Sequence, residues 1–169
     1  MPARHAAFDA VRDLPEAALR DLLASDEPVE RVWAAWALGL RLGSDSAATL
    51  KRAACSDPDA GTRRHLVVLL AGLGERDAVA ALAVADLDAH VRATASQYLT
   101  RLAGAQPSLW SLVHARLGDA HAVVRETLVL HLTASAPPEV RDAAIRCISD
   151  PAPFVREAVI VQLDALDGA

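Results

Sequence analysis

Six histidines, two cysteines and a set of regularly spaced aspartates and arginines are the side chains of this 169-residue chain best suited to chemistry. The histidines are His5, His65, His90, His114, His121 and His131. None stands in a His-Glu-x-x-His motif, the helical spacing that places two imidazoles on one metal. Zinc in a finger or a nucleobase deaminase needs paired cysteines at short spacing, whereas Cys55 and Cys147 are single and far apart. Gly72-Leu73-Gly74 lacks a third glycine at the right offset, and no Gly-x4-Gly-Lys occurs, so a phosphate cradle is not encoded. Gly43-Ser44-Asp45-Ser46 is not a nucleophile elbow and reads as a turn between helices, capped by Ser44 or Asp45. The expectation is a noncatalytic chain without metal or cofactor.

The aspartates and arginines carry more information. Five times an Arg follows an Asp, once a Ser, by six residues and precedes a Leu by seven. The sets are Ser25/Arg31/Leu38, Asp57/Arg63/Leu70, Asp86/Arg92/Leu99, Asp119/Arg125/Leu132 and Asp150/Arg156/Leu163. A period close to thirty residues is the signature of stacked supersecondary units, each too small to bury its own apolar face.

Each period resolves into two helices. The segment after each Asp has apolar residues three and four apart, as in Val91, Ala95, Leu99 and Leu102, or Val124, Leu128 and Leu132, or Val155, Val159 and Leu163. Asp57-Pro58 and Asp150-Pro151 read as the starts of these helices, and Gly39, Gly72, Gly74 and Gly104 as their ends. Shorter apolar segments at 15–24, 46–55, 76–85, 107–117 and 137–148 supply the other helix of each pair. Residues 2–12 read as an extra first helix, for eleven in all, and no strand-like alternation competes. The repeats fall near 15–42, 44–74, 75–104, 107–134 and 137–166, within one domain spanning 1–169.

Composition agrees with this architecture. The chain is 53% apolar, chiefly Ala, Leu and Val, with 4% aromatic residues, and its mean hydropathy is +0.21; small side chains suit closely packed helices. The net charge of -5 gives little general attraction to phosphate backbones or anionic lipid. No apolar run reaches the length needed to span a bilayer, and residues 1–11 lack the apolar block of a secretory signal, so a cytoplasmic location is expected. Cys55 and Cys147, three repeats apart, are expected to be reduced, buried thiols.

The Asp-x5-Arg spacing, usually with Val before the Arg, resembles the HEAT repeat family, especially its short bacterial subclass related to bilin lyase repeats. Residues 86–92, 119–125 and 150–156 carry the pattern best; it departs at Ser25 and at Thr62, which stands where Val is usual. The resemblance implies an all-α, right-handed superhelix of five helix pairs. It also implies that Asp57, Arg63, Asp86, Arg92, Asp119, Arg125, Asp150 and Arg156 form a structural ladder between neighbouring repeats. HEAT-like deoxyhypusine hydroxylases hold iron with His-Glu pairs, and no histidine here precedes Glu. Alkylpurine glycosylases of this architecture hold damaged duplex with Arg, Trp and Asp, parts superficially open to Trp33, Trp36, Arg64 and Arg101. Glu30, Glu126, Glu157 and Asp164 on the same helices oppose phosphate binding.

A partner surface follows from helical geometry. At 100° per residue, the Val before each Arg, the fourth residue after it and the terminal Leu define the buried arc. The fifth residue after each Arg lies opposite and reads Trp36, Val68, Gln97, Leu130, Val161; the residue two before reads Val29, Gly61, His90, Val123, Phe154. In HEAT arrays the second helix of each pair lines the inner surface. The resemblance therefore implies an apolar concave groove for a protein or peptide, with Trp36, Val68, Leu130, Phe154 and Val161 as anchors and Arg64, Gln97 and Arg101 orienting the ligand. The alternatives are an accessory subunit of a bilin lyase, and a nucleic-acid binder related to the glycosylases.

Overall fold

The computed structural model describes residues 8–166. It contains ten α-helices among those residues, preceded by a helical stretch at 8–12; the rest of the expected first helix, with His5, lies outside the described residues. The chain divides into two compact units, residues 1–78 and 79–169.

In the first unit, helices α1 (Glu16–Leu22), α2 (Pro28–Leu42), α3 (Ala47–Ser56) and α4 (Ala60–Gly72) form two helix pairs. The second helices, α2 and α4, pack on each other, and each also packs on the first helix of its own pair. Leu19 of α1 and Ala34, Ala37 and Leu38 of α2 are fully buried together, with Val11, Leu14, Leu22, Leu23 and Leu42 closing over them. A Cβ on Gly39, midway along α2, would sit 3.3 Å from Leu69 of α4. Gly39 is thus a close-approach residue between second helices rather than a helix end.

Helix α4 ends in a Schellman arrangement. Gly74 takes φ 76°, and the amides of Gly74 and Glu75 donate to the carbonyls of Ala71 (3.1 Å) and Leu70 (2.9 Å). Gly43, at φ 52°, terminates α2 and opens a 3-10 turn, Gly43–Ser46. There the buried Ser46 donates to the Gly43 carbonyl at 2.6 Å, and neither Ser44 nor Asp45 provides the expected cap.

Helix α5 (Arg76–Ala85) contains the boundary between the units. The second unit continues with α6 (Ala89–Ala105), α7 (Trp110–Arg116), α8 (Ala122–His131), α9 (Pro138–Arg146) and α10 (Pro153–Leu166). Short 3-10 turns precede α7 and follow α9. Second helices α6, α8 and α10 pack in order, and α7 and α9 form the other layer. The core between the layers is Val91, Leu99, Val113, Val124, Leu128, Val140, Val155 and Val159, all fully or nearly fully buried.

The expected helix starts at Asp57-Pro58 and Asp150-Pro151 are displaced. Asp57 ends α3, and Asp59 is the residue that caps α4, accepting from the Thr62 amide at 2.7 Å. Asp88 likewise caps α6, accepting from the amides of His90 and Val91. The earlier Asp is committed elsewhere: its Oδ1 accepts the amide two residues on, at 2.9 Å for Asp57, Asp86, Asp119 and Asp150. This is an Asx turn, which bends the chain between paired helices.

Candidate binding surface on the second helices

The arginines explain the six-residue spacing. In all five repeats Nη1 of the Arg donates to the carbonyl six residues before it, at 2.7–2.9 Å, and to the carbonyl five before at 3.1–3.3 Å. The guanidinium thus folds back over its own Asx turn. In Arg31, Arg92 and Arg125 the remaining edge reaches the next repeat. Arg31 engages Asp57 through Nε and Nη2 at 2.8 and 2.9 Å, Arg92 engages Asp119 at 3.1 and 3.0 Å, and Arg125 engages Asp150 at 2.7 and 2.8 Å.

These fork-to-fork pairs join a residue of one repeat to the turn of the following one. Bonding to the carboxylate raises the pKa of Arg31, Arg92 and Arg125 against the opposing pull of burial. For Asp119 burial pushes the carboxyl up, but Arg92, the His121 amide and Arg116 together bring it below the ordinary value. Bonding to Arg125 holds Asp150 low as well.

The fifth-after-Arg row is less bare than helical geometry alone suggests. Trp36, Val68, Gln97 and Leu130 are partly buried, and Val161 is 73% exposed. Within the second unit, Gln162 of α10 donates to the Leu130 carbonyl of α8 at 2.9 Å. Phe154 is 42% exposed, and Arg64 and Arg101 are exposed. Arg101 lies over the Tyr98 ring, 5.5 Å from its centroid, a cation–π contact within α6. His131, at the end of α8, has its pKa lowered by burial and by Arg101.

An open cleft does occur on the second helices of the first unit, nearer their N-terminal ends. It has a volume of about 520 Å³ and is lined by Val29, Val32 and Trp33 of α2 and by Asp59, Gly61, Thr62 and His65 at the start of α4, with Pro28 at its rim. Val29 is 48% exposed and Trp33 partly so. Gly61 contributes no side chain to the lining, and a Cβ there would meet the Asp59 carboxylate at 3.0 Å. Val29 and Gly61 belong to the two-before-Arg row; Trp33 and His65 lie two after the Arg, outside both rows.

A second hollow of about 630 Å³ lies in the other unit, on the first helices, between α7 and α9. Its large apolar residues, Trp110 and Val140, are already buried, and its walls are Pro107, Pro137, Ser108, Ser111, His114 and Glu139. Both cysteines are free, but Cys55 is exposed and Cys147 only partly buried, which corrects the expectation of two buried thiols. Burial, with Asp150 nearby, raises the Cys147 pKa. Among the described residues no group of three or more His, Cys, Asp or Glu is placed to hold a metal ion. No described helix is long and apolar enough to cross a membrane.

Comparison with known proteins addresses the ancestry of this architecture. One solved structure, described as the complex of CpcE and CpcF of phycocyanin lyase from a Nostoc species, contains a chain that superposes with a TM-score of 0.66 at 17% identity, covering 88% of this chain and 97% of that one. The YibA protein of Escherichia coli superposes with a TM-score of 0.55 at 20% identity, over 94% of this chain and 73% of the other. At such identities the likeness is one of fold. No curated protein matches significantly in sequence. Residues 134–160 match a HEAT repeat associated with sister chromatid cohesion. Residues 16–100, half of the chain and three of its Asp-or-Ser-to-Arg turns, match the model of HEAT repeats. The chain belongs to the HEAT repeat family.

Proposed function

We propose that this chain is a noncatalytic binding scaffold whose second helices receive a protein or peptide, anchored in the cleft between α2 and α4. The observation that carries the reading is the cleft itself. Val29 and Trp33 present apolar surface there that the fold leaves open, beside the polar Asp59 and His65. An apolar hollow with a few polar groups at its edge suits one large side chain of a ligand, whose burial would supply most of the binding energy. The hollow between α7 and α9 offers less, because its apolar floor is already covered by its own walls.

The test is selection of peptides from a random displayed library on the purified protein, followed by binding measurements on Val29→Glu. Val29 is half exposed, so the charge is tolerated in the free protein, whereas inside an occupied cleft it is desolvated and unpaired. Selected peptides should share a large apolar residue and lose at least tenfold in affinity for the variant. Peptides that bind Val29→Glu as well as the parent would refute the cleft. A second reading, as an accessory subunit of a bilin lyase, draws its support from the likeness in fold to the phycocyanin lyase chain. It predicts a coloured, covalently modified acceptor protein when the chain is co-expressed with a tetrapyrrole pathway, a catalytic subunit and that acceptor.

A further inference from the structure

The lining of the α2–α4 cleft has a hydrogen-bonding character as well as an apolar one. Trp33, partly buried, lines it beside Val29 and Val32, with Pro28 at the rim. An indole Nε1–H can only donate. That of Trp33 meets no acceptor among the described residues and is not sealed from solvent. The imidazole of His65, exposed on the α4 side, likewise bonds to no described residue. Thr62 is already engaged: it is buried, and its amide and hydroxyl both donate to Oδ1 of Asp59, at 2.7 and 3.0 Å. The cleft thus offers an incoming ligand an aromatic ring, aliphatic walls and two ring N–H groups.

A segment that fits must bring apolar surface and free acceptors together. An α-helix spends its carbonyls internally except in its last turn. A strand satisfies its backbone along a sheet edge, and the elements that line the cleft are helices. Polyproline II has no internal hydrogen bonds and leaves its carbonyls open. Proline adds an apolar ring, brings no N–H in need of an acceptor, and is already held near the bound conformation, so little chain entropy is lost on docking.

From this we infer that the ligand of the cleft is a proline-containing segment in the polyproline II conformation, with a pyrrolidine ring laid on Trp33 and a neighbouring carbonyl accepting from its indole N–H. His65 supplies the second donor, to another carbonyl of the same segment. The inference rests on the cleft reading above and narrows its ligand to one backbone form.

The peptides selected from the random library are the probe. Among those that Val29→Glu weakens, proline should recur beside the large apolar residue, and replacing that proline by Ala should weaken binding at least tenfold. On the nitrogen-15-labelled parent protein, the assigned indole N–H resonance of Trp33 should move downfield at saturation, a readout that does not depend on how any variant folds. Trp33→Phe keeps an aromatic ring and removes the donor, and should weaken the peptides about threefold to tenfold, the effect of one hydrogen bond. Selected peptides that Val29→Glu weakens but that lack proline, that bind as helices, or that leave the Trp33 indole resonance unmoved would overturn this inference and leave the cleft standing. Peptides indifferent to Val29→Glu, or a selection that yields no binder, would remove the cleft and this inference with it.

Discussion

Truncating Arg92 tests whether the guanidinium pairs hold the second unit together. Arg92 and Asp119 are both more than nine-tenths buried. Replacing Arg92 by Ala removes two charge-assisted bonds to Asp119 and two to the carbonyls of Asp86 and Leu87. Breaking a buried ion pair from one side destabilises by about 3–5 kcal/mol when the remaining charge is stranded. Asp119 is not wholly stranded, since it keeps Arg116 at 3.2 Å and the His121 amide at 2.9 Å. That retention sets the expected loss at about 2–4 kcal/mol, within the range of a few charged hydrogen bonds net of solvation.

Urea denaturation followed by helical circular dichroism measures it, with an unchanged slope showing that the folded state is otherwise intact. Asp119→Ala should lose at least as much, because it also removes the Asx turn. The double variant should fall short of the sum of the singles by about 1–3 kcal/mol, the signature of direct coupling. The pH dependence has a definite sign. The Asp119 and Asp150 carboxyls are lowered in the folded state, so the unfolded chain binds more protons in acid. Their stabilisation is complete above the ordinary carboxyl pKa of about 3.9 and is lost as pH falls through the folded values. Arg92→Ala should therefore show a shallower acid loss than the parent. A loss under about 0.5 kcal/mol for Arg92→Ala, or strict additivity with Asp119→Ala, refutes the structural role; 0.5 kcal/mol is the ordinary scatter of surface substitutions.

Three further outcomes follow from local geometry. Gly72→Ala should stabilise the first unit by up to about 1 kcal/mol, because Gly72 is helical with open space around a Cβ, whereas Gly74→Ala should destabilise by about 1–2 kcal/mol at φ 76°; thermal melts of the two variants should move in opposite directions. Alkylation near neutral pH, followed by mass spectrometry, should label exposed Cys55 well before Cys147, whose thiol is partly buried and raised in pKa. Val161→Glu should be tolerated within about 0.5 kcal/mol, while Leu130→Glu should destabilise by about 1–3 kcal/mol, since Leu130 is shielded and Val161 is not; equal melting temperatures would show that the shielding of Leu130 is energetically empty.

The helix pairs were legible because their period is written in residues with few alternatives. An Arg that must reach the carbonyl six residues back fixes its own spacing, and the Leu one helical face further on follows from the 100° rotation. The helix starts were less legible. Asp57-Pro58 has the composition of a cap, yet the Asp57 carboxylate is taken by the Asp59 amide and by Arg31 from the preceding repeat, leaving the cap to Asp59. A one-helix projection also misjudged exposure. It takes account of one helix alone, so it places Trp36, Val68 and Leu130 in the open although they are partly buried. It places Ile160 and Leu163 on the buried arc although they are 63% and 40% exposed.

The cleft between α2 and α4 depends on a feature that a row of apolar residues does not show, namely that Trp33, two places after Arg31, and His65, two places after Arg63, line it together with Val29. In a repeat array the period prescribes the fold, whereas the proposed cleft is lined by residues that depart from the period. Here those departures are Gly61 where other repeats carry Val, His or Phe, and Trp33 two places after Arg31.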